Sequence, residues 1–395
     1  MAHEAAVVLF GIALVGVVVA VVQHMLLRGH LRAPEPEPQA CPPVSVLKPL
    51  CGVDDGLERN LAAFAALDYP EYEVVLGLKS ERDPAWEVAC AAARRWPRRF
   101  RVAVQRGEPG MNPKVNQLIT LARAARHDVL VVSDSNVRVG PGYLRGIAAH
   151  LSDPGVGLVT HPIVGVGERR LGSALDALHL ASAIAPGVVA AKRLAGQDIV
   201  VGKSMAFRRA DLDALGGFEV VKDVLAEDFV LGRMVSNVLG KRVAVAREPV
   251  QNVSHDRSLR EFASRYARWN VMQRQAVGPL LYLGGALLNP VLAASIAAAA
   301  EGSADGVAAA AAIAACKAAV DGANGRLLRP GGFRLAQLAL IPAKDLVVGA
   351  GWLRAFVRRE IDWRGNRLVV QPGTRIAPPP ATGPALGIRH DAPGA

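Results

Sequence analysis

Aromatic residues are scarce in this chain: Phe, Trp and Tyr together make up 5% of its 395 residues. Proteins that hold single-stranded nucleic acid rely on aromatic stacking platforms, and no groove-reading module is visible either. A formal charge of +11 and a pI near 9.9 therefore point to an anionic membrane surface and not to a nucleic acid. Cysteine is equally sparse. Cys41, Cys51, Cys90 and Cys316 show no close paired spacing, which sets aside a zinc site and a disulfide framework and agrees with a reducing compartment. There is no internal repeat, and no small-residue cleavage pattern follows the first apolar run, so a signal peptide is set aside too.

Apolar residues are plentiful, at 51%, but unevenly spread. Ala6–Met25 is nearly free of charge and long enough to cross a bilayer, and is expected to be a spanning signal anchor. Arg28, His30 and Arg32 follow it, whereas almost no positive charge precedes it. The positive-inside rule then puts the N-terminus outside and the central domain in the cytoplasm, on a multi-pass protein of the inner cell membrane. The expected organisation is an anchor over 1–28, a Pro-rich linker over 29–43, an α/β domain over 44–275, membrane segments over 276–356, and a tail over 357–395 that is basic and then disordered. Within 276–356 lie three apolar stretches, near 276–300, 307–320 and 334–356. Three full spans would carry the tail outside, yet Arg354, Arg358, Arg359, Arg364 and Arg367 argue that it is inside. One stretch is thus expected to be re-entrant or interfacial. The third is the suspect, because Pro342 and the pair Lys344-Asp345 interrupt it.

Between residues 44 and 275, short apolar runs alternate with helical patterns. Val44–Lys48, Tyr72–Lys79, Arg101–Gln105, Val129–Ser133, Val156–Thr160, Ile199–Arg208 and Arg242–Ala246 read as strands. Asn112-Pro113 places a cap and a first-turn proline ahead of a helix over Lys114–Arg126. Strands separated by helices predict an α/β fold with a largely parallel sheet.

Such sheets bind ligands outside the carboxyl ends of their strands, and Asp134 stands at one of those ends. Asp134 and Asn136, two apart on an extended chain, share a face and offer two hard oxygens to one cation. Asp134-Ser135-Asn136 is equally the chemistry of a plain turn. Three more features follow the same double logic. Asp83 sits after the second strand, but also where a helix cap belongs. Glu227-Asp228 opens a helix, where acidic residues favour the macrodipole. Arg265-x-x-Arg268-Trp269 lies on a charged amphipathic helix that also suits a membrane interface. Jointly and in this order they point to one site.

The ordered set resembles the membrane-anchored ceramide glucosyltransferase family, glycosyltransferase family 21. The resemblance rests on Val44-Ser-Val-Leu-Lys-Pro-Leu50 with Gly52-Val-Asp54, Leu67-Asp-Tyr-Pro70, Asp83-Pro-Ala85, Asn112-Pro-Lys-Val-Asn116, Asp134-Ser135, Glu227-Asp228, Arg265-x-x-Arg268-Trp269 and Trp363-Arg364-Gly365. It implies a GT-A type, Rossmann-like cytoplasmic domain held between transmembrane or interfacial helices. It also implies an inverting transfer of a hexose, glucose first, from a UDP-sugar to a membrane lipid hydroxyl, ceramide first. On that resemblance Asp83 accepts from the uridine, and Asp134 with Asn136 holds Mg²⁺ or Mn²⁺ on the diphosphate. Lys114 adds positive charge there, or is simply an exposed lysine. Asp228 is the general base, and Arg265, Arg268 and Trp269 close over the donor from one helical face. Two departures stand out: Asn136 replaces the second aspartate of the usual Asp-x-Asp motif, and Ala185-Pro186 stands where eukaryotic members have His-Pro. Stretches around His127–Val139 and Asp153–Val159 are also similar to hopanoid-lipid glycosyltransferases, so a hopanoid-lipid acceptor is the alternative. A processive polysaccharide synthase, which carries Gln where this chain has Arg265, and an inactive membrane scaffold are weaker rivals.

Overall fold

The computed structural model describes residues 2–363 and 366–378. Helix α1 (Ala2–Arg32) is about 46 Å long at 1.5 Å per residue, enough to cross a bilayer with its last turns in the headgroups. It runs past the expected end of the anchor at residue 28. Then come β1 (Val44–Pro49), α2 (Leu57–Ala65), β2 (Tyr72–Leu78), α3 (Trp86–Arg95), β3 (Phe100–Val104), α4 (Pro113–Ala124) and β4 (Val129–Ser133). Next are β5 (Val137–Arg138), α5 (Tyr143–Leu151), β6 (Val156–Thr160), β7 (Ile163–Val166), α6 (Leu171–His179), a π turn over Leu180–Ile184 and α7 (Ala185–Ala195). The domain closes with β8 (Ser204–Arg208), α8 (Arg209–Ala214), α9 (Glu227–Asn237), β9 (Arg242–Val245), β10 (Val250–Val253) and α10 (Leu259–Val277).

The main sheet has seven strands in the order β3-β2-β1-β4-β8-β6-β9. All pairings are parallel except those of β8, which runs against both β4 and β6. The expected largely parallel sheet is therefore present. Every residue of β1, β2 and β4 is buried, because alternate side chains feed two cores. Val44, Val46, Val74, Leu76 and Val131 face α2, α3 and α5, while Leu47, Val75, Leu130 and Val132 face α4, α8 and α9. A second sheet, β5-β10-β7, was not expected from the sequence. It begins three residues past Asp134, where Val137 pairs with Asn252 of β10.

The C-terminal part holds α11 (Pro279–Leu283), α12 (Pro290–Glu301), α13 (Ala304–Leu328), α14 (Leu335–Leu338), α15 (Ile341–Ala355), β11 (Glu360–Trp363), β12 (Asn366–Val370) and β13 (Ile376–Ala377). By length and hydropathy α1, α13 and the segment Leu171–Ala195 are membrane candidates. The last of these is 78% buried inside the protein and serves as a core helix. The stretch over 279–301 is bent by 83° at its break, so the first apolar stretch too departs from a straight span, as the third was expected to. Gly16 of α1 lets that bend dock, since a Cβ there would lie 2.9 Å from the Leu287 carbonyl oxygen. The third stretch is shortened to α15, whose Lys344 is wholly buried against Asp345, Asp321 of α13 and Ser182. The tail expected to be disordered after Gln371 instead supplies β13, paired with β12; residues 379–395 lie outside the described ones.

One buried cap aims the residues of the site. The Asn112 side chain accepts from Lys114 N at 3.0 Å and Val115 N at 3.2 Å, and donates to the Val224 carbonyl at 2.7 Å. Asn112→Ala removes the cap and strands a buried carbonyl, and should cost about 1–2 kcal/mol. A thermal unfolding midpoint in detergent equal to that of the unaltered protein would overturn the assignment.

Candidate active site

Parallel pairing of β1 with β2 and β4 brings their carboxyl ends to one edge. Three acidic positions meet the solvent there or near it. Asp134 follows β4 directly. Asp83 follows β2, and its Oδ1 accepts from Gly52 N and Ala85 N, both at 2.9 Å. It thus ties the loop after β1 to the start of α3. Asp228 arrives from α9, on the far side of β8. Because β8 is antiparallel to β4, the loop before β8 also ends at this edge, and it contributes Gly202 and Lys203.

Lysines organise the edge. The Lys114 ammonium lies 3.0 Å from Asp134 Oδ1 and 2.8 Å from Glu227 Oε1, and donates to the Gly202 carbonyl at 3.0 Å. The Lys203 ammonium lies 2.9 Å from Asp134 Oδ2 and donates to Asn136 Oδ1 at 2.7 Å. Lys48, wholly buried at the end of β1, donates to the Asp134 carbonyl at 2.7 Å and sits 4.1 Å over the Phe64 ring. Burial would raise the Asp134 pKa, but Lys114 and Lys203 outweigh it and hold the carboxyl well below the usual carboxylate range. Burial pulls Lys48 down to about 7, with Asp134 opposing.

Asp228 is treated differently. It receives two backbone N–H donors, Gly202 N to Oδ2 at 2.7 Å and Phe229 N to Oδ1 at 2.8 Å, and forms no ion pair among the described residues. Burial, and then the neighbouring Glu227 charge, push its pKa up to about 6. Only a glycine permits the approach, because a Cβ on Gly202 would lie 2.6 Å from Asp228 Oδ2. The peptide of Gly202 therefore links the two halves of the site, its carbonyl on Lys114 and its N–H on Asp228.

Helix α10, started by a Ser258–Glu261 capping box, carries the remaining features. The buried Arg265 guanidinium lies 4.8 Å over the Trp269 ring, with its Nε 3.6 Å from Asp176 Oδ1. Its charge bears on both Asp134 and Lys203. Arg268 goes elsewhere: its Nη1 donates to the Asp362 carbonyl at 3.5 Å, on the side of α10 that faces α15. The structure thus gathers Asp134, Asn136, Lys114 and Asp228 into one cluster. Arg265 and Trp269 stand at its margin and Asp83 on the same sheet edge, while Arg268 faces a separate groove.

Sequence reasoning overlooked Lys48 and Lys203. A charged residue ending an apolar strand was a usable signal for Lys48. Lys203 was hidden because the expected strand Ile199–Arg208 enclosed it, whereas β8 starts at Ser204 and leaves it in the loop.

A divalent cation can be tested against the donor set. No cluster of three or more His, Cys, Asp or Glu side chains suited to a metal exists among the described residues. Mg²⁺, however, commonly takes only one or two carboxylates and completes its shell from substrate phosphates and water. Asp134 Oδ2 and Asn136 Oδ1 already converge on a single positive centre, the Lys203 ammonium. The two side chains fit a cation shared with a phosphate ligand.

The mixed sheet with its strand-end cluster has the architecture of a GT-A glycosyltransferase. The mannosyltransferase PcManGT from Pyrobaculum calidifontis, solved with GDP-Man and Mn²⁺, shares that fold with a TM-score of 0.53 at 21% identity, over 89% of this chain and 99% of that one. The model of glycosyl transferase family 21 matches residues 8–376, and the chain belongs to that family. Among its relatives, ceramide glucosyltransferase 1 of Caenorhabditis elegans is 29% identical over 266 residues, 67% of this chain and 56% of the relative. Ceramide glucosyltransferase 3 of the same organism is 25% identical over 357 residues, 87% of this chain and 76% of the relative. The chain thus spans little more than half of the first relative.

Asn136→Asp adds a second carboxylate beside Asp134 without changing shape. Affinity for Mn²⁺, read by electron paramagnetic resonance with UDP present, should rise roughly tenfold, since ligand charge tunes such sites. An unchanged affinity would remove Asn136 from the cation site.

Proposed function

We propose that the chain is an inverting glycosyltransferase that moves a hexose from a UDP-sugar to the hydroxyl of a membrane lipid, with glucose and ceramide the favoured pair. The observation that carries this reading is Asp228: a carboxylate with its pKa raised to about 6, held by the Gly202 peptide next to the lysine-rich end of β4. Such a group is ionised at neutral pH, yet a better proton acceptor than an ordinary carboxylate.

In the proposed step Asp228 takes the proton of the lipid hydroxyl as its oxygen attacks the anomeric carbon. The bond from that carbon to the diphosphate oxygen breaks, and the electron pair leaves with UDP. Lys114 at the start of α4, and Lys203, supply positive charge to the leaving diphosphate, and the α4 N-terminus adds its dipole. Asp134 and Asn136 would hold Mg²⁺ or Mn²⁺, which when bound stabilises charge on the diphosphate. Arg265 and Trp269 flank the donor, and Asp83 serves the uridine. Arg268 is assigned to the donor only through its sequence neighbours, and its contacts favour another task.

Helices long and apolar enough to span a bilayer flank the domain over 44–275, which suits an acceptor delivered from the membrane. We place the domain on the cytoplasmic face of the inner membrane, in a multi-pass protein with no nucleic-acid partner. A hopanoid-lipid acceptor is the second reading. Ala185 and Pro186 are buried at the start of α7, so no imidazole is available there to meet an acceptor as in the eukaryotic pattern.

Mass spectrometry of lipids from a host expressing the chain should reveal a new hexosylated lipid that is absent with Asp228→Asn. The variant should lose about 10²–10⁴ in rate while binding UDP-sugar normally, and near-normal turnover would refute the base assignment. The pH profile carries a separate test. The base works only when ionised, so the rate should fall as pH drops through about 6. Lys114 lowers the Asp228 pKa, so Lys114→Met should move this acid limb upward. A limb that stays in place would separate Lys114 from the base.

A further inference from the structure

The side of α10 turned away from Asp134 packs on α15, and together with β11 the two helices border an open groove of about 500 Å³. Small apolar side chains make its floor, among them Ala263, Ala267, Val271 and Ala350. Four arginines stand around it: Arg260, Arg268, Arg354 and Arg358, against the two acidic residues Glu360 and Asp362. Glu360 pairs with Arg367 at 3.5 Å. Arg260, Arg354 and Arg358 are exposed, and none of the three forms an ion pair among the described residues.

The surroundings fix the depth of this groove. Tyr282 of α11 stacks on Trp352 at 5.7 Å, and Phe356 meets both rings at 5.1 and 5.0 Å. Leu280, Leu281 and Leu283 on α11, with Leu353 and Val357 at the end of α15, are exposed. The rings form a core behind the groove, with Tyr282 wholly buried, and the exposed aliphatic side chains beside arginines are the composition of a bilayer interface. A hydrocarbon floor under a guanidinium rim at that depth calls for an amphiphile with an anionic head. Guanidinium groups grip phosphate through paired hydrogen bonds; ceramide has no phosphate to offer, a zwitterionic head brings its own ammonium against the arginines, and a free phosphate leaves the floor idle.

We propose that this groove binds one anionic phospholipid, its phosphate at Arg354 and Arg358 and one acyl chain along the floor between α10 and α15. The site is distinct from the cluster around Asp134 and from the lipid acceptor. Because α10 carries Arg265 and Trp269 on its other face, the bound lipid braces the helix that borders the strand-end cluster.

Binding is testable without reference to turnover, so the transferase reading and this one fail independently. The full chain in neutral detergent is titrated with dioleoyl phosphatidylglycerol, dioleoyl phosphatidylcholine, ceramide and inorganic phosphate, and complexes are counted by native mass spectrometry. One phosphatidylglycerol should bind at least tenfold more tightly than phosphatidylcholine. The exposed double variant Arg354→Gln/Arg358→Gln should lose that preference, while Arg359→Gln, outside the groove, should keep it. Equal affinity for the two phospholipids, an unaffected double variant, or an equal loss with Arg359→Gln would overturn the proposal. Displacement of phosphatidylglycerol by ceramide would turn the groove into an acceptor channel. Competition by phosphate at equal concentration would reduce it to a headgroup contact, and either result overturns it.

Discussion

The Lys114 ammonium is the contact on which the rest of the site depends. It comes from the first turn of α4 and reaches Asp134 after β4, Glu227 at the start of α9 and the carbonyl of Gly202 before β8. Three carboxylates crowd this edge, and without a shared cation they would repel one another in a medium that screens poorly. The distribution of the positive charge is unequal. Asp134 is gripped by two ammonium groups, whereas Asp228 has only two peptide N–H donors. One carboxyl is driven down and the other up to about 6. Neighbouring carboxyls pushed apart in this way differ in their readiness to take a proton at neutral pH.

What the sequence made legible follows from where each strand lies. β4 is covered on both faces, so its apolar run was unbroken and its carboxyl end could be read to the residue at Asp134. β5, β7 and β10 have four residues or fewer each, too short for periodicity to register, although they fix the chain just after Asn136. The four-residue strand β11 and the two-residue strand β13 lay hidden in a tail whose Pro and Arg content resembled a flexible segment. Lys48 and Lys203 escaped for a different reason. A lysine is an ordinary surface residue until topology places it, and only the antiparallel course of β8 brings the loop at Lys203 to Asp134.

The membrane-proximal helices hold a bend that composition alone did not mark. Lys344 and Asp345 looked like an interruption that would keep their segment at the surface. They are instead held among Asp321, Lys317 and Ser182 between α13, α15 and the π turn. Two ammonium and two carboxylate groups cancel, and an ionisable cluster facing inward is the tolerated arrangement near lipid. Removing one member would leave an uncompensated buried charge, which makes the cluster a lock between α13, α15 and the π turn. The sharp bend arises instead where Asn289-Pro290 ends one helix and caps the next, since the Asn289 side chain accepts from Leu292 N at 3.1 Å.

Helix α10 joins these two halves of the molecule. On one face Tyr266 donates to the buried Asp176 at 2.7 Å and Arg265 stacks on Trp269, fixing the helix to α6 beside the strand ends. On the other face Arg268 and the small residues around Ala267 look toward α15 and the groove it borders. An Arg-x-x-Arg-Trp run read as one catalytic face therefore serves two, because 3.6 residues per turn rotates positions 265 and 268 by about 60°, enough to put their long side chains into different neighbours. A single helix, α10, with no loop in between, connects the neighbours of α15 to the strand-end cluster. The same geometry explains why this helix carries both a strong capping box and a mixed charged and aromatic surface. The capping box fixes its start, and different neighbours hold its two faces.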